Sequence, residues 1–261
     1  MDLFARILAD MFLLIAAAWA LPQCDHSKTI KSFSDIRVAA AKLVRVPAPP
    51  TGHRVLPSEK AIHQPLPKRC YAVSVGIAGR DPLSSFLQNR CHLYAFDCTL
   101  PKRVPMLPRT HFYRKCVGSF DAETPYFRGV HAEPRDFITV DKMTEIVLRE
   151  HTLEVQNKTL PLITRKNIDV LTFDIEGTEW RLFESLLSMP VLPKQIIFEV
   201  HLEKSNPLFV PPTLVQNKSW ESLEGVLSQF HARNYTVVSL VPTSNDTCCA
   251  DMTLVRCRPA S

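Results

Sequence analysis

At 261 residues, 46% of them hydrophobic and 22% charged, the chain can bury one substantial core and is too apolar for wholesale disorder. Its formal net charge of +5 is carried by one segment, since residues 21–69 hold nine Lys/Arg against three acids. That segment is Pro-rich and nearly free of aromatics, so it reads as a solvated stem, and no nucleic-acid partner is expected.

In chain order, Met11 to Ala20 is an unbroken apolar run, too short for the ~20 residues of a membrane-spanning helix. Ala18 and Ala20 supply small residues for cleavage before Leu21, so residues 1–20 read as a signal peptide. A retained lumenal anchor and an apolar terminal helix of the mature fold are the alternatives, and no stable membrane span is expected after cleavage. Residues 21–69, with seven prolines, form a stem or arm, with one short helix expected over 35–44. Residues 70–261 form the main domain.

Four of the seven Asn begin Asn-x-Ser/Thr (Asn157, Asn217, Asn234 and Asn245), where chance gives about one, so N-glycans are expected. All eight cysteines lie beyond residue 20, which suits disulfides in an oxidising compartment and leaves their pairing open. Cys91 and Cys116 read equally well as buried free thiols. No second C-x-x-C pair matches a first, so a zinc site is disfavoured and no metal is expected.

From Cys70, short apolar runs alternate with amphipathic stretches of helical length. Strands are predicted at 70–75, ending at Gly76, at 92–96, ending at Asp97, and at 111–117. Others follow at 168–173, ending at Asp174, and at 195–200. Helices are predicted at 82–89, 141–151, 178–189 and 220–232. The last strands, 236–241 and 252–255, are joined by too few residues for a parallel crossover, so they pair antiparallel. The pattern predicts a three-layer α/β fold, its sheet mainly parallel with one antiparallel C-terminal strand.

In such sheets ligands bind at the C-terminal ends of the strands. Gly76 and Gly79, flanking Ile77 and Ala78, permit a sharp turn and a close backbone approach. Asp97, 21 residues after Gly76, is placed to accept ribose hydroxyls. The G-x-G-x-x-G fingerprint is absent, which disfavours NAD. The densest feature is Asp174-Ile-Glu176-Gly-Thr-Glu179-Trp180. Acids at a helix start account for Glu179 and partly for Glu176 through the dipole. Asp174, inside the strand end, suits instead a cationic cofactor group or a general base. His201 lies one residue past a predicted strand end, where a catalytic group or a solvent-facing histidine are both possible readings.

The blocks VSVGIAGRDPLSSF, LYAFD, IDVLTFDIEGTEW and IIFEVHLE resemble the FkbM-related methyltransferases, with the closest likeness to their secreted or lumenal eukaryotic branch. The resemblance runs from about Cys70 to Arg256. It implies a seven-stranded, Rossmann-like class I methyltransferase fold and S-adenosyl-L-methionine as cofactor, with contacts at Gly76, Ile77, Gly79, Asp97 and Asp174. Asp174, Glu176 and His201 are the candidate catalytic residues, with Glu199 behind them. Compartment and resemblance together lead to an expectation of O-methylation of a glycan or small hydroxylated acceptor in the secretory pathway. A non-catalytic lumenal binding protein with the same fold is the alternative, and an NAD-dependent oxidoreductase a third reading.

Overall fold

The computed structural model describes residues 62, 66–67, 70–76, 82–100, 109–118, 126–127, 130–131, 133–156, 168–208, 210–242 and 248–257. The expected signal peptide, the helix over 35–44, Ile77, Gly79, Asn157 and Asn245 lie outside them.

Seven strands form one sheet: β1 (Cys70–Val75), β2 (Cys91–Phe96), β3 (Thr110–Tyr113), β4 (Val170–Phe173), β5 (Gln195–His201), β6 (Tyr235–Pro242) and β7 (Cys249–Arg256). Their order is β6-β7-β5-β4-β1-β2-β3. Neighbours from β3 to β5 pair parallel, whereas β7 runs antiparallel to both β5 and β6. The expected mainly parallel sheet with one reversed C-terminal strand is therefore present. β1 and β4 are buried at every position. Continuous apolar runs of this kind are what a sheet covered on both faces requires.

Among the described residues, five helices accompany the sheet: α1 (Pro82–Arg90), α2 (Val140–Gln156), α3 (Glu179–Leu187), α4 (Pro212–Val215) and α5 (Trp220–Ala232). On one face, Leu83 and Leu87 of α1 pack with Ala72, Leu93, Ala95, Val170 and Ile197. On the other, Met143 and Val147 of α2, Phe183 and Leu186 of α3, and Phe230 of α5 join Phe173 and Phe198. Phe173 and Phe198 stack at 5.0 Å between centroids, with Phe183 edge-on to both. The Ser219 hydroxyl accepts from the Ser222 amide and closes a capping box that starts α5 where its periodicity begins.

Two differences from the sequence reading are informative. The strand predicted at 111–117 breaks after Tyr113, and Cys116–Val117 pairs instead with Phe137–Ile138 in a separate ladder. The Lys115 amide turns back onto the Tyr113 carbonyl, and the Cys98–Cys116 disulfide anchors the diverted segment to the end of β2. Cys91 and Cys116 are thus not free thiols: Cys70–Cys91 bridges the starts of β1 and β2, and Cys248–Cys249 joins adjacent residues at the start of β7. Among the described residues, no helix is long and apolar enough to cross a membrane.

Candidate functional site

β1 lies between β2 and β4, so the strand order reverses at its edge, and the crevice above that switch point is where open α/β sheets bind ligands. The Gly76 amide donates to the Phe96 carbonyl at 2.9 Å, and the Asp174 amide donates to Val75 at 3.0 Å. These bonds set Gly76, Asp97 and Asp174 side by side at the C-terminal ends of β1, β2 and β4.

Gly76 has φ +75°, and a Cβ there would stand 1.9 Å from the Asp174 carbonyl oxygen. The glycine is therefore required by the strand-end backbone itself, which fits the sharp turn the sequence suggested and does not depend on a ligand. Asp97 is buried, and its Oδ1 accepts from the Thr99 amide at 2.7 Å and the Thr99 hydroxyl at 2.6 Å. That local turn fixes the carboxylate's orientation at the edge.

The Asp174–Trp180 segment and the end of β5 form one hydrogen-bonded unit. Glu179 is fully buried. It accepts from the Gly177 amide at 2.8 Å and from the His201 amide at 2.7 Å, and its Oε1 lies 3.0 Å from His201 Nδ1. Trp180 Nε1 donates to the His201 carbonyl at 2.6 Å. Both main chain and ring of His201 are held from the start of α3. Gly177, at φ +100°, meets Val210, Leu214 and Val215, so a side chain there would collide with the Pro-rich segment covering this turn.

His201 is 4% exposed, not solvent-facing, and belongs to β5 itself. Its Nε2 points to Glu176 Oε2 at 3.6 Å and Glu199 Oε1 at 3.9 Å. Glu176 turns its side chain in from a left-handed backbone, φ 54°, a conformation that costs a non-glycine residue of order 1 kcal/mol or more. Phe173 pairs with Phe198, so Asp174 follows beside Glu199, and Glu199 pairs in turn with Asp251. Burial by itself lowers the His201 pKa. The Glu179 hydrogen bond and the charges of Glu179, Glu199 and Asp174 outweigh it and raise the imidazole to about 9. At neutral pH His201 is an imidazolium amid carboxylates.

Asp174, Glu176 and His201 thus come together, while Gly76 and Asp97 flank them along the same edge. Sequence reasoning underrated two residues. Glu179, read as a helix-dipole acid, is the buried anchor of His201, and Asp251 adds a buried acid beside Glu199. No linear signal could have indicated the latter, because its place opposite Glu199 depends on the register of β7 against β5.

No family model matches the chain, and no curated protein matches it. Among solved structures it is similar to Methanococcus jannaschii fibrillarin, a pre-rRNA processing protein, at 12% identity and TM-score 0.38 over 77% of this chain and 71% of that one. It is similar to SMU.1697c of Streptococcus mutans, in complex with SAH, at 12% identity and TM-score 0.34 over 87% and 99%. A third is the 1,6-didemethyltoxoflavin-N1-methyltransferase of Burkholderia thailandensis, with bound 1,6-didemethyltoxoflavin and S-adenosylhomocysteine, at 12% identity and TM-score 0.36 over 73% of this chain and 72% of that one.

Proposed function

We propose that this chain is an S-adenosyl-L-methionine-dependent methyltransferase of the FkbM-related kind, acting on a hydroxyl of a glycan or small acceptor in the secretory pathway. The observation that carries the reading is the alignment of Gly76, Asp97 and Asp174 at the switch point of a seven-stranded sheet. The cofactor supplies an activated methyl group on a positively charged sulfur. Asp97, oriented by Thr99, accepts the ribose hydroxyls. The backbone at Gly76 lies along the ligand, and Asp174 faces its cationic end.

Transfer to a hydroxyl forms an oxygen–carbon bond, breaks a sulfur–carbon bond and releases the hydroxyl proton. Positioning of the two reactants supplies much of the acceleration. The proton goes to Asp174 or Glu176, because His201 is already protonated at neutral pH and serves as their cationic partner. The closed disulfides suit an oxidising compartment. Asn217 is exposed at a turn, where a glycan added after entry through the proposed signal peptide at residues 1–20 would face water.

Calorimetric titration of the oxidised, full-length protein with S-adenosylmethionine tests the reading. Asp97→Asn keeps an oxygen for Thr99 but removes the charge, and it is expected to weaken binding about tenfold or more with unchanged unfolding. Absence of binding by the wild-type protein would sink the enzyme assignment. Binding without methyl transfer to any secreted glycan or hydroxylated acceptor would favour the non-catalytic alternative.

A further inference from the structure

Asp174, Glu199 and His201 each offer one donor atom, and these atoms all lie within 4.8 Å of one another. They arrive from the ends of two adjacent strands, and Glu176 Oε2 stands 3.6 Å from the imidazole Nε2. We propose that this cluster binds one divalent cation through Asp174, Glu199 and His201 Nε2, with Glu176 as a further oxygen ligand.

Four features support the site. Opposite ligands of an ion with bonds of about 2.1 Å are about 4.2 Å apart, so donor atoms within 4.8 Å of one another reach such a cation with a contraction of about half an ångström. His201 is 4% exposed and its ring orientation is fixed, because Nδ1 lies 3.0 Å from Oε1 of the fully buried Glu179. This leaves Nε2 directed into the cluster, where its nearest carboxylate oxygens, at 3.6 and 3.9 Å, are beyond hydrogen-bond distance. A histidine whose far nitrogen is tied to a buried carboxylate is the usual arrangement of a metal ligand. The donor set, mostly oxygen with one imidazole and more than three candidate ligands, suits Mn²⁺ or Mg²⁺ better than a closed tetrahedral zinc site. Linear spacing hides all this, since Asp174 and Glu199 are brought together only by strand pairing.

The ion's role rests on the methyl-transfer reading: held beside the acceptor, it would bind the hydroxyl oxygen and make its proton easier to remove. A proton and a cation are alternatives on Nε2, and either supplies the countercharge that the carboxylates need.

The test uses the oxidised, full-length protein, freed of metal by chelation and titrated with Mn²⁺ while the electron paramagnetic resonance of free Mn²⁺ is followed. One ion per chain is expected, competed by Mg²⁺. Glu199→Gln and Asp174→Asn should each weaken it by about tenfold or more. Glu199 is partly exposed, so its variant keeps the test usable if the Asp174 variant misfolds. S-adenosylmethionine affinity is measured on the same samples. Protein that binds this cofactor yet takes up no Mn²⁺ at about 1 mM overturns the inference, since that covers even weak sites. Undiminished uptake by both variants overturns it too. Stoichiometric Mn²⁺ uptake lost in Glu199→Gln supports the site even where cofactor binding fails, and only the methyl-transfer reading then falls.

Discussion

Replacing Glu179 separates the architecture of the site from its chemistry. The carboxylate is fully buried and accepts from two backbone amides, those of Gly177 and His201, besides the His201 ring. Glu179→Ala leaves those donors without an acceptor inside the protein, and a cavity with them. A buried donor left unsatisfied costs about 1–3 kcal/mol, and removing one partner of a buried ionic pair about 3–5 kcal/mol. We expect a loss of about 4 kcal/mol, a large share of the 5–15 kcal/mol typical of a domain. Glu179→Gln keeps the shape but turns one acceptor into a donor facing a donor, at about 2 kcal/mol. Urea unfolding of the oxidised proteins reads both as a lower midpoint at unchanged slope.

The same substitution carries a pH signature. With divalent ions chelated, His201 has its pKa raised from 6.5 to about 9 in the folded protein. A raised pKa means the native state binds the proton more tightly, so this stabilisation is complete below 6.5 and disappears as pH rises through 9. Its size is roughly 3 kcal/mol at 1.36 kcal/mol per pH unit. Glu179→Gln should lower the His201 titration in proton NMR and flatten the stability profile across that window. A loss below about 1 kcal/mol for Glu179→Ala, or an unmoved His201 titration, would refute the reasoning.

Other substitutions probe the frame around the site. Gly76→Ala forces a Cβ to 1.9 Å from the Asp174 carbonyl at φ +75°, so we expect more than about 3 kcal/mol lost, or no soluble protein. Near-wild-type urea unfolding would contradict it. Tyr235 donates to the Pro193 carbonyl at 2.6 Å, and burial raises its phenol well above the usual value. The native state therefore holds that proton more tightly, and its contribution is lost only above pH 10. Tyr235→Phe should cost about 1 kcal/mol at neutral pH and lessen the alkaline decline in thermal unfolding. Replacing Cys70 and Cys91 together by Ser opens a bridge of sequence separation 21, at about 3 kcal/mol on loop-entropy grounds. Equal stability of the double variant and the wild-type protein would show that the bridge adds nothing.

Much of this molecule was legible along the chain. Strands at 70–75 and 195–200, and the helix at 220–232, showed through because both faces of a covered strand, or one stripe of a helix, must be apolar whatever the rest of the fold does. The short link before β7 dictated its reversed direction by length alone. Gly76, Asp97 and Asp174 stood out because each follows a strand, and strand ends are where such sheets present function. The tertiary structure decided what depends on strand order and pairing. Sequence separates Glu179 from His201 by 22 residues, and only the hydrogen bonds between α3 and β5 reveal that one anchors the other. Asp174, Glu199 and Asp251 become neighbours because β4, β5 and β7 lie side by side. Periodicity reports which face a residue occupies, but not which strand lies beside it. The pairing of the cysteines and the diversion of Cys116–Val117 from the main sheet depended on the same non-local contacts.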